Sequence, residues 1–121
     1  MYSTHAARAY QQTSRAVVTG RELEALLLLK SAAQLQAVRD SWETRRPDLL
    51  KALTYNRKLW IVLIDLILKP DNPLDDEIKN NLFNLSLFIF RHTLEIECDP
   101  APEKLGALID VNRAIAEGLR A

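Results

Sequence analysis

Residues 51–74 read KALTYNRKLWIVLIDLILKPDNPL, and this stretch decides the fold class. From Leu59 to Leu68 apolar residues stand on nearly every side of a helix, interrupted only by Asp65. The strict alternation that marks a half-buried strand is missing. A helix over 47–68 follows, and its all-round apolar second half predicts a central, largely buried element. Pro47 fits its first turn. Asp65 falls on the far side from Leu53 and Trp60, with Lys69 four residues on as its expected salt partner. KPDNP stops the helix. Asn72 reads as a cap and Pro73 as the start of the next helix.

Working outward, residues 73–98 carry Ile78, Leu82, Leu85, Phe88 and Ile89 at helical spacing. DPAP ends that helix, and residues 102–119 form another, with Leu105, Leu108, Ile109, Ala116 and Leu119 on one stripe. Toward the N-terminus, Thr19 and Glu22 stand three apart before the apolar run LEALLLL, the pattern of a capping box. A helix over 20–44 is expected there. Residues 3–17 make only a thin stripe, so 1–18 read as a loosely attached N-terminal helix. The 121 residues suit one core, and only 3 of them are glycine. The expected fold is all-α: a single-domain, compact bundle of four to five helices, sequential ones roughly antiparallel.

The pair Asn-Arg occurs twice at matching places. A helix turns about 100° per residue. With Leu49 at zero, Leu53, Asn56, Arg57 and Trp60 fall at about 40°, −20°, 80° and 20°. With Leu105 at zero, Ile109, Asn112, Arg113 and Ala116 take the same angles. Each Asn therefore centres an apolar stripe, and each Arg sits at its edge. A central amide needs partners or costs about 1–3 kcal/mol. Asn56 and Asn112 are accordingly candidate structural amides, bonded to backbone or to each other. The other reading is that they line a groove receiving another chain.

Several function classes find no support. Basic and acidic residues balance at 16 each, so no global field draws nucleic acid or anionic lipid. The apolar run LWIVLIDLIL is too short to span a membrane, which takes about 20 residues. The N-terminal stretch lacks a signal-peptide apolar core. One cysteine, Cys98, fits a reducing cytoplasm. His92 and Glu95 can share a helix face, but Cys98 turns away from it, so no metal set forms. Glu95, Glu97 and Asp99 argue against a reactive thiolate at Cys98. No phosphate loop is present, no catalytic constellation is visible, and no cofactor is expected.

The segments TGRELEALLLLKSAAQL, ALTYNRKLWIVLIDLILKPDNPL, FIFRHTLEI and LIDVNRAIAEGL together resemble the FlaF family of bacterial flagellar proteins, over about residues 10–119. Gly20-Arg21 stands where the family often has Pro-Arg. The resemblance implies a cytoplasmic, non-enzymatic factor needed for flagellin production and filament assembly. It implies flagellin as a partner, held as by a chaperone before export, and a regulator of the FlbT type as another. The alternative is a post-transcriptional regulator acting on flagellin message. Phe83, Phe88, Phe90, Trp42 and Trp60 exceed what one core takes, which suits a protein-binding patch. The candidate contacts are Tyr10, Trp60 and Phe90 as apolar anchors, with Arg57 and Arg113 at the rim.

Overall fold

The computed structural model describes the backbone of residues 2–120 and the side chains of residues 21–120. Five α-helices follow in order: α1 Tyr2–Asp40, the single turn α2 Trp42–Arg45, α3 Leu49–Ile67, α4 Asp76–Cys98 and α5 Leu105–Arg120. Short 3-10 turns at Arg46–Asp48 and Pro102–Lys104 lead into α3 and α5, each with a proline in its first positions. There is no strand among the described residues.

The expected break before residue 20 does not occur, because α1 runs unbroken for 39 residues. Thr19 is thus interior to a helix and not an N-cap. A lone glycine such as Gly20 costs a helix only about 1 kcal/mol, too little to end a backbone ladder continuous on both sides. Helix α4 likewise starts three residues later than Pro73. Asn72 is spent on the turn: its amide donates to the Leu66 carbonyl at 3.3 Å and its Oδ1 accepts from the Leu74 amide at 3.1 Å. Asp76 and Glu77 then fill the first turn of α4, where the helix dipole favours acids. Asp65 and Lys69 form no ion pair; the Lys69 carbonyl instead accepts from Lys79.

α3 packs between α1 and α4, and α5 packs chiefly along α1. Neighbours run antiparallel. Gly106 lies near Arg39 while Asn112 reaches the Leu28 carbonyl, which fixes α5 on α1. Ser31 meets Asn56 while Val38 and Asp48 flank one cavity, which fixes α3 on α1. Arg57 meets Glu97 while Lys79 reaches Lys69, which fixes α4 on α3. The core joins Leu28 and Leu35 of α1, Leu53 and Trp60 of α3, Ile89 and Ile96 of α4, and Leu105, Leu108 and Ile109 of α5.

Helix α3 is not buried all round. Trp60, Leu63 and Ile64 are enclosed, but Ile61, Val62 and Leu66 are 52%, 58% and 41% exposed. The reason is positional. α1 and α4 flank α3 and α5 lies on its inner side, so none of the described residues covers its outer side.

Candidate docking face

Two features of this bundle exceed what folding alone requires: a buried polar network and an uncovered apolar face.

The network joins α1, α3 and α5. The Asn112 amide donates to Asn56 Oδ1 at 2.7 Å, and Ser31 Oγ donates to the same oxygen at 2.9 Å. Trp60 Nε1 donates to Asn112 Oδ1 at 2.9 Å. All four side chains are fully enclosed. The Nδ2 group of Asn56 has no partner among the described residues. The two asparagines of the repeated pairs thus meet in the core, and the equivalence extends to burial: Leu49, Leu53 and Trp60 are buried like Leu105, Ile109 and Ala116. Such a network fixes helix register, because sliding one helix by a turn would strand several polar atoms at once.

The two arginines differ. Arg57 is half-buried and pairs with Glu97 of α4 at 3.3 Å. Arg113 is exposed and bonds Gln36 of α1. They lie on different seams, so the structure does not bring them to one rim. Trp60 is enclosed and presents no surface to a partner. Phe90 is half-buried at the edge of the core. Tyr10 and the expected helix over 3–17 carry side chains outside the described residues.

The uncovered face follows from helical phase. With Trp60 at the centre of the buried side of α3, Ile61, Val62, Asp65 and Leu66 fall at about 100°, −160°, 140° and −120°. With Ile89 at the centre for α4, Phe83, Leu87, Phe90 and Leu94 fall between about 100° and 160°. Their spacing of four, three and four residues makes a continuous outward stripe. Phe83 is 39% exposed, and Leu87 and Leu94 are exposed too. The Arg57–Glu97 bond shows that these sides of α3 and α4 face each other, so Ile61 and Leu68 border the same seam as the α4 stripe. On the other flank of α3, Lys30 of α1 lies over the Tyr55 ring at 5.6 Å. That antiparallel register puts the exposed Leu23 level with Val62. The outer side of the α1, α3 and α4 layer therefore carries exposed apolar residues on three helices, with the charged Lys58 and Asp65 of α3 and Arg91 of α4 among them. Single exposed leucines need no explanation, but a set on three helices does.

The sequence reading offered both Phe90 and Trp60 as anchors for a partner; Phe90 keeps part of its surface open, and Trp60 is closed off. The exposed Ile61, Val62 and Leu66 were hidden within a run that read as core. Their one signal was the surplus of apolar positions over what one buried stripe uses.

The residues weighed for a metal lie elsewhere. His92 bonds the Lys104 carbonyl through Nε2 at 2.7 Å and stacks on Phe88. No group of three His, Cys, Asp or Glu side chains that could hold a metal occurs among the described residues. Cys98 is exposed. No helix among the described residues is long and apolar enough to cross a membrane.

The fold and this face define a class: a small all-α domain with exposed apolar residues on the outer side of three of its helices. Residues 6–119 match the family model described as Flagellar protein FlaF, and the chain belongs to that family. No curated protein and no solved structure matches closely enough to add to this assignment.

Proposed function

We propose that this flagellar protein is a non-enzymatic, chaperone-like factor in the cytoplasm, and that it binds an amphipathic terminal segment of flagellin on the outer face of α3. One observation carries the reading. From Leu59 to Leu68 the chain is apolar on nearly every side of the helix, yet only one side is covered by the described residues. A helix laid along Ile61, Val62 and Leu66 would bury the remainder, with the α4 stripe and Leu23 as the groove walls. Helix-in-groove recognition uses partner anchors at i, i+3, i+4 and i+7. Unpolymerised flagellin segments need such a cover, since the same apolar faces drive filament packing. A regulator of the FlbT type is a further partner in this reading, competing for or reading out the occupied face.

The test is a photoactivatable cross-linker placed at Val62, at the middle of the face, or at Glu117, exposed on α5. Flagellin should be captured from Val62 and not from Glu117. Capture from Glu117 alone moves the interface to the opposite side. If neither position captures flagellin while RNA binds with a steep salt dependence, the message-regulator reading replaces this one.

A further inference from the structure

The cleft between α1 and α3 holds a second feature, which the apolar face does not explain. It is a cavity of about 540 Å³ on the same outer side, nearer the α1–α3 turn. Its floor is small and apolar, from the buried Val38 of α1 and Ala52 of α3, with Ala33 and Ala37 beside them. Its walls carry three cations, Lys30, Arg45 and Lys51, against one acid, Asp48. None of the three cations has an acidic partner within 4.0 Å among the described residues. The chain as a whole has balanced charge, so this concentration is local.

We infer that this cleft is a receptor for a carboxylate-bearing peptide segment, whose acidic side chains meet Lys30, Arg45 and Lys51 while its short apolar groups rest on the apolar floor. Arginine and lysine around a low-dielectric floor bind carboxylates through charge-assisted hydrogen bonds. Two points select a peptide over a nucleic acid. Stacked bases need a free aromatic face, and the one aromatic ring in the cleft, Tyr55, has Lys30 over it. On α3 the side that carries Tyr55 continues to the exposed Val62 and Leu66, a continuation that suits an amphipathic helix and not a phosphodiester backbone. The inference deepens the docking reading and rests on it for the continuation: the partner helix would carry acids at the end that lies over the α1–α3 turn, which sets its direction in the groove.

The experiment uses the full chain, isotope-labelled, titrated in NMR with a short Glu-rich peptide containing alanine, and with the same peptide carrying Gln in place of Glu. The Glu peptide should shift the amide signals around Lys30, Gln34, Lys51 and Tyr55, saturate, and weaken with salt. The Gln peptide should bind about tenfold more weakly, the scale of a few exposed ion pairs together. The double variant Arg45→Glu, Lys51→Glu should lose the Glu-peptide shifts while the rest of its spectrum stays in place. Equal binding of the two peptides, shifts elsewhere, or no shifts overturns the inference, as does tighter binding of an oligothymidylate to the same signals. Val62→Asp should leave this titration unchanged while abolishing flagellin capture, so the cleft and the apolar face can each fail without the other.

Discussion

Replacing Asn112 by Leu probes the network that holds α1, α3 and α5 in register. The substitution keeps side-chain volume roughly constant and adds apolar character. It also removes the acceptor of the fully enclosed Trp60 Nε1 group. Asn56 Oδ1 loses one donor but keeps Ser31 Oγ. The dominant cost is therefore one orphaned indole N–H, about 1–3 kcal/mol. For a chain of this size that is a fall in melting temperature of roughly 3–6 °C per kcal/mol. The decisive comparison is the same substitution in a Trp60→Phe background. Phe has no N–H to strand, so Asn112→Leu should cost close to zero there. The volume lost at Trp60 is common to both arms of the cycle and cancels. Urea denaturation of the four proteins should then give a coupling of about 1–3 kcal/mol between positions 60 and 112. Equal costs in both backgrounds would refute the claim that the Trp60–Asn112 bond carries the effect.

Other outcomes follow from the same structure. Ile61→Asp and Val62→Asp fall on exposed positions and should each change stability by no more than about 0.5 kcal/mol, checked by urea midpoint, while flagellin binding is lost. Arg57→Ala should cost about 0.2–1 kcal/mol, because its partly exposed pair with Glu97 is screened by solvent. Burial raises the Glu24 carboxyl above its usual range, with Arg21 pulling the other way. The folded chain therefore keeps that proton to higher pH than the unfolded chain, so stability falls as pH rises through the raised value. Glu24→Gln should raise the melting temperature at pH 7 and have a vanishing effect as pH falls below the unfolded carboxyl value.

The all-α class, the stops at KPDNP and DPAP, and the stripes centred on Asn56 and Asn112 were all legible, because helical phase depends only on residue spacing. Phase also put both amides inside. It did not say that they would meet each other with Trp60 and Ser31, since that depends on the register between helices far apart in sequence. The unbroken α1 was missed because Thr19 and Glu22 make a valid cap in local terms, and only the backbone on both sides decides whether the cap is used. The outer face was missed for a different reason. Apolarity at Ile61, Val62 and Leu66 is the same signal whether the cover is the chain's own helix or another chain's. Counting helices against apolar faces is what separates the two cases, and that count needs the packing.

The central claim is that the apolar outer face of α3 receives flagellin. Calorimetric titration of purified flagellin into the full chain at several temperatures tests it most directly. The account predicts binding at micromolar concentration or tighter with a negative heat-capacity change, the mark of buried apolar surface, and loss of both in Val62→Asp with the fold intact. Binding that survives Val62→Asp with the same heat-capacity change, or no binding by the unaltered chain, would contradict it.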